Sequence, residues 1–314
     1  MSRRIFTLVA AVALAQVVAV MAFVLPAHKP EPHEVPVGLI GAPQVGAQLE
    51  RTAQGMFDVH QFRTAADAER AIRDREIYGA LVPGERRVLV ASAASPAIAQ
   101  ALEQQVPAGT AVRDVVAIDR DDPRGATLNA LFLPLIIASF PAALLLVQLR
   151  LGRRAILGAL TGLAVMGGLL VAGAVGPALG LLPGPYLAVA AIAALIILSM
   201  ALPAAALVQR FGPRALGPAA IAFLLIGNPG SGNASAPELL PGFWRAVGPL
   251  LPPGAGGQAL RNVAYFDGAA LAQPLLVLFA FAAAGAALIV STRGPAQASP
   301  RVGRTTPPVA LPAQ

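Results

Sequence analysis

The side chains able to do chemistry are few, and they stand apart. None of the 314 residues is cysteine, so no disulfide, thiolate zinc site, iron–sulfur cluster or cysteine nucleophile can form. His28, His33 and His60 have no partners at ligand spacing. A zinc site needs three or four ligands, so they read as solvated or packing side chains. HExxH is absent, and so is the phosphate-cradling GxxxxGK[ST]. Gly227-Asn228-Pro229-Gly230-Ser231-Gly232 is glycine-rich but lacks the lysine and a preceding soluble strand, and it reads as a loop. Asn233-Ala234-Ser235 fits a glycosylation sequon, a pattern chance often produces. Asp119-Arg120-Asp121-Asp122 could hold a cation, but such a charge run reads more simply as a hydrated face. What remains are uncharged polar groups inside apolar runs: Gln16, Asn129, Ser139, Thr161, Ser199 and Gln273. Each can hydrogen-bond between helices, worth about 0.6–2 kcal/mol. Gln16, Asn129 and Ser139 are also candidates for a substrate path. No Asp, Glu, Lys, Arg or His lies inside these runs. An intramembrane proton relay is therefore disfavoured, a Ser–His hydrolase lacks its base, and neither enzyme activity nor a cofactor or metal is expected.

The composition says where these groups sit. The chain is 56% hydrophobic and 12% charged, with mean hydropathy +0.67, whereas a soluble protein averages roughly 25% charged residues. That pattern predicts an α-helical polytopic membrane protein. Residues 5–25 form a first span and read as a retained anchor, because the apolar run is too long and Leu25-Pro26-Ala27 too poor a cleavage site for a leader. Residues 127–149, 155–176, 186–208, 215–227 and 269–291 supply five more. The fifth of these six, about 13 residues, is below the ~17 needed to cross alone. Net charge +7 invites a nucleic-acid partner, but its distribution excludes one. All 16 acids lie in Glu31–Asp122 and Glu238–Asp267. Arg3 and Arg4, then Arg150, Arg153 and Arg154, then Arg210 and Arg214, then Arg293, Arg301 and Arg304 occupy alternate connections. By the positive-inside bias, six spans place all four clusters and both termini (residues 1–4 and a disordered tail, 293–314) in the cytoplasm of a plasma-membrane protein.

Residues 26–126 have soluble composition and form an extracytoplasmic insert after the first span. Val35–Ile40 reads as a strand, at an edge because Pro36 cannot donate to a ladder. Gln44–Gln54 reads as a helix and Met56–Phe62 as a half-buried strand. Thr64-Ala65-Ala66-Asp67 opens a helix to about Glu76 with Ala68 and Ile72 inward. Ile77–Val82 and Arg87–Ala91 are strands, Ser95-Pro96 opens a helix burying Ile98 and Leu102, and Val112–Ile118 is a last strand. The order β-α-β-α-β-β-α-β predicts a small α/β domain of roughly 90 residues with one modest core.

Within the five-span membrane domain, 127–292, residues 228–267 are too polar and broken to cross. A helix from Pro237 to Val247 and another from Gly257 to Phe266, turned by Pro252-Pro253-Gly254, give exoplasmic helices over 237–266. They would lie at or dip into the outer leaflet. Trp244, beside Arg245, and Tyr265-Phe266 sit where aromatics anchor to headgroups. Phe243, Trp244, Arg245, Arg261 and Tyr265 are candidates for a gate. Gly158 and Gly162, then Gly176 and Gly180, carry GxxxG spacing for close helix approach.

This layout resembles the membrane subunit of type-2 ABC exporters. The run Leu239-Leu240-Pro241-x-Phe243-Trp244-Arg245, then Leu251-Pro252-x-Gly254-Ala255-Gly256, Arg261 and Tyr265-Phe266, resembles its phage-infection-protein-like branch. The resemblance implies a homodimeric permease half that moves an amphipathic or lipid-like substrate with energy from a separate ATPase. Two features depart from it: no amphipathic helix precedes the first span, and Gln148–Arg154 is short for an ATPase dock. They leave open a membrane-anchored scaffold or receptor whose external domain binds a cell-envelope partner.

Overall fold

A computed structural model describes residues 3–28, 31–41 and 55–292. The helix expected over 44–54 and the tail 293–314 lie outside the described residues. The fold is mostly helical, with one small sheet.

The sheet belongs to an α/β domain built from β1 (Val35–Ile40), β2 (Phe57–Phe62), α2 (Ala65–Arg73), β3 (Gly79–Val82), β4 (Arg87–Val90), α3 (Pro96–Gln104) and β5 (Ala111–Asp114). Strand order is β2-β1-β3-β4-β5, parallel except for the β3–β4 hairpin. The helix starts follow from their caps. Thr64 Oγ1 accepts from the Asp67 amide at 3.1 Å, and Ser95 Oγ from the Ile98 amide at 3.2 Å. Ala68 and Ile72 from α2, and Ile98 and Leu102 from α3, enter one core with Val37, Val88 and Leu89. β1 is not the edge strand that Pro36 suggested. It lies between β2 and β3, and Pro36 faces the β3 side, where pairing starts only at Gly38 and Leu39. No ladder donor is lost there, and the Pro36 carbonyl still accepts from the Tyr78 amide at 3.0 Å. The last strand ends at Asp114 and not at Ile118; beyond it the Val115 amide still donates to Val90 and the Ala93 amide to Val116, and the Asp114 side chain accepts from Ser92.

Among the described residues, five helices are long and apolar enough to span a membrane: α1 (Arg3–His28), α4 (Ala126–Gln148), α5 (Arg153–Gly173, continued to Ala178 by a π-helical turn), α6 (Tyr186–Phe211) and α10 (Ala272–Ser291). A sixth apolar helix, Pro213–Gly227, is shorter. It comprises α7 (Leu216–Ala220) and a π-helical continuation to Gly227. Its 15 residues would rise about 22 Å, against ~30 Å of hydrocarbon. α6 is the axis of the bundle, with 72% of its apolar window buried, whereas α1 has 0%. The helices alternate in direction. One end carries the α/β domain. At the other, Arg210 lines a cavity with Ser291 and Thr292, and Arg153 donates to the Val290 carbonyl in the last turn of α10, at 2.9 Å.

Two sequence expectations change here. Asp122 is no hydrated surface charge: it is 8% exposed, and its two carboxylate oxygens accept from the Ala126 and Thr127 amides at 2.8 Å each, capping α4. The GxxxG glycines are not the packing glycines either. Gly158 and Gly162 face open space within the chain, whereas a side chain at Gly168 would strike the Ala190 carbonyl and one at Gly285 the backbone of Leu202 and Pro203. Gly285→Val should therefore cost about 1–3 kcal/mol or more, as overpacking does. Thermal unfolding in detergent should show the loss, while Gly158→Val leaves the transition in place. Equal effects of the two substitutions contradict this packing.

Candidate functional site

The segment from Asn228 to Asp267 joins the domain to the bundle. It folds as short turns at Pro229–Ser231, Pro237–Leu239 and Gly248–Leu250, with α8 (Gly242–Val247) and α9 (Pro252–Tyr265). The single helix expected from Pro237 to Val247 is interrupted, because Pro241 sits between its two parts in extended geometry. Pro252 and Pro253 do not turn the chain. They occupy the first turn of α9, where a missing amide costs nothing, so that helix starts five residues before Gly257. Nor does α9 lie on a leaflet: nearly all of it from Pro252 to Ala264 is buried by protein, which is how broken backbone is tolerated at such depth.

The α/β domain is fastened to this segment. The Glu238 carboxylate accepts from the Tyr78 hydroxyl at 2.7 Å, and the Glu238 carbonyl accepts from the His33 amide at 2.9 Å. Ala236, Leu239 and Phe266 enter the core of the domain itself. Arg245 reaches Glu34 at 3.2 Å, an exposed pair of small weight. Burial, then the Glu238 carboxylate, push the Tyr78 phenol well above its usual range. Burial, then the carboxylates of Asp119 and Asp122, push Tyr265 up to about 12.

Two cavities flank the seam. One, of about 240 Å³, lies between domain and helices and is lined by Arg75, Tyr78, Glu238, Gln258, Arg261 and Gln273 among others. Arg261 is 4% exposed and donates to the Asn233 carbonyl at 2.8 Å. Burial, then the Arg75 charge, pull its guanidinium down to about 10. The second cavity, of about 320 Å³, opens between the end of α1 (Phe23, Pro26) and Asn129, Asn228, Ser231 and Asn233. Asn228 Oδ1 is buried there without a hydrogen-bond partner among the described residues. Asn233 is 2% exposed, gives its amide to Pro253 at 3.2 Å and packs against Gly257, so on the folded chain this sequon has no room for a glycan.

The candidates read from sequence therefore divide. Arg261 lines the first cavity and Asn129 the second. Gln16 is exposed on α1, Ser139 bonds its own helix at the Leu135 carbonyl, 2.7 Å, and neither joins a site. Phe243 is exposed and stacks edge-on against Trp244 at 5.2 Å. Trp244 packs on Gly230, Arg245 reaches the seam, and Tyr265 sits where the domain meets the bundle. His60 pairs with Asp58 at 3.1 Å, and no group of three potential metal-binding side chains occurs among the described residues.

Sequence reasoning missed Arg75, Tyr78, Glu238, Asn228 and Asn262. Only Glu238 carried a signal, as one of two acids, with Asp267, in the second acidic stretch.

Tyr78→Phe should lower stability at neutral pH by about 1.5–3 kcal/mol, the worth of a hydrogen bond to a charged group. It should also remove an alkaline loss. With the folded pKa raised, the phenol's contribution is intact below the unfolded value near 10 and falls as pH rises above it. Denaturation of both proteins between pH 8 and about 11 should show the wild type losing its lead; a constant gap contradicts the assignment. Comparison with known protein families, with curated proteins and with solved structures finds no match to this chain.

Proposed function

We propose that the chain is the membrane subunit of an exporter, moving an amphipathic or lipid-like substrate with energy from a separate ATPase of the ABC type. In this reading the Pro213–Gly227 helix is a sixth crossing, completed by the turns that follow it, and both termini and the arginine end face the cytoplasm. The α/β domain is extracytoplasmic. The protein works in the plasma membrane as a homodimer, with α1 and the apolar outer faces of the bundle turned to lipid or to a second copy.

The observation that carries the reading is the cleft at Asn228. A short, π-helical segment ends there, as interrupted helices do at transporter sites. The cleft sets three carboxamides, Asn129, Asn228 and Asn233, beside a loosely held first helix. Such a place admits an amphiphile from the side and offers hydrogen bonds to its polar head. The interiors of the spans carry no acidic or basic side chain, which favours an energy source in another polypeptide. The resemblance to type-2 exporter subunits supports the same assignment. One feature favours a second reading, a scaffold or receptor whose external domain binds an envelope partner: the turn from Leu149 to Gly152 offers an ATPase little surface.

The complex purified from its native membrane should carry vanadate-sensitive ATPase activity, stimulated by this subunit. Cells lacking the chain should retain amphiphiles that the wild type exports. Asn228→Leu should slow export about tenfold, the loss of one hydrogen bond of ~1.4 kcal/mol at the rate-limiting barrier. Normal export without the chain, with no ATPase activity in the complex, refutes transport. Full function of the domain on a single-span anchor establishes the second reading instead.

A further inference from the structure

The cavity between domain and helices holds a charge arrangement that the seam does not explain. Arg261 is buried, yet among the described residues no carboxylate lies within 4 Å of its guanidinium. A buried charge without a counter-charge is expensive. Arg75, which lines the same cavity, also has no carboxylate partner among the described residues. Its guanidinium lies over the rings of Tyr78 and Phe266, 5.5 and 4.8 Å from their centroids, which fixes it in place. Among the described residues the acid lining the cavity is Glu238, and it is held by Tyr78. Two guanidiniums against one carboxylate leave the cavity one positive charge in excess. Gln258 and Gln273 add neutral amide donors, one N–H of Gln273 Nε2 being given to the Pro249 carbonyl at 3.4 Å.

Position narrows the ligand. Gln273 is in the first turn of α10, a helix able to span a membrane, so the cavity lies at the depth of lipid headgroups. Its volume of about 240 Å³ is below the ~300–1,000 Å³ of drug-sized sites. It holds a headgroup but not acyl chains. Guanidinium forks match phosphate oxygens in pairs.

We propose that Arg75 and Arg261, with Gln258 and Gln273, bind the phosphate of a monoanionic phosphodiester, either a lipid headgroup or a soluble ester, and that it ties the α/β domain to α9 and α10. This inference does not depend on transport, since it rests on the junction alone.

The test uses the full chain in mild detergent with two probes, dioleoylphosphatidylglycerol and soluble glycerophosphoglycerol. Native mass spectrometry should retain one phosphatidylglycerol per chain, and the lipid should raise the unfolding temperature. Arg75→Gln should weaken retention by about tenfold or more, the scale of one charge-assisted hydrogen bond, while Arg75→Lys keeps part of it. Arg261→Gln removes the buried charge; should it fail to fold, the half-buried Arg75 variants decide. Displacement of the lipid by glycerophosphoglycerol assigns the site to a soluble ester, and resistance to displacement assigns it to the headgroup. Either supports phosphate recognition. Equal retention by wild type and Arg75→Gln, with neither probe stabilising the wild type, overturns it.

Discussion

A soluble domain beside a bundle of apolar helices either floats on its tethers or buries part of itself, and here burial is set by one carboxylate. Glu238 takes the Tyr78 hydroxyl with its side chain and the His33 amide with its backbone. Those contacts hold Ala236, Leu239 and Phe266 inside the domain's own core. A hydrogen bond to a charged group is worth about 1.5–3 kcal/mol when its partner stays sheltered. Apolar closure around it adds roughly 25 cal/mol per Å² buried. The domain is thereby joined mechanically to α9. Any motion of α9 must either carry the domain along or break the seam.

The spans impose the complementary constraint. With no acidic or basic side chain between their ends, they satisfy themselves with backbone bonds, as lipid requires. Ser139 and Ser199 bond carbonyls of their own helices, at Leu135 and Ile196. Unpartnered polar groups gather in the turn-rich stretch from Asn228 to Asn262, where Asn228 and Asn262 each bury a carbonyl oxygen with no partner among the described residues. Buried orphan acceptors of this kind are costly.

Local chemistry was well written in the sequence. Thr64 and Ser95 announced their helices, because a side-chain oxygen before an apolar face has few other uses. The apolar runs marked the five long helices to within a few residues. What could not be read was any feature set by tertiary contact. Pro36 looked like an edge signal, yet only strand register decides which neighbour misses its amide. Asp122 looked solvated, because a run of charges does not show which member turns inward to cap a helix. Gly168 and Gly285 carry no motif, and Gly158 and Gly162 carry one without using it here. Of the candidate site, Asn129, Arg245 and Arg261 were identifiable by type and place. Tyr78 and Glu238 meet across 160 positions of sequence, a distance no local pattern spans.

Glu238 makes the α/β domain and the helices beneath it one body. The chain has no cysteine, so spin labels on Arg73→Cys in α2 and Ala246→Cys in α8 would report a single distance in lipid nanodiscs. One narrow distribution, broadened when Glu238→Ala is added, is the expected result. A distribution already broad in the otherwise wild-type chain, and indifferent to Glu238→Ala, would contradict it.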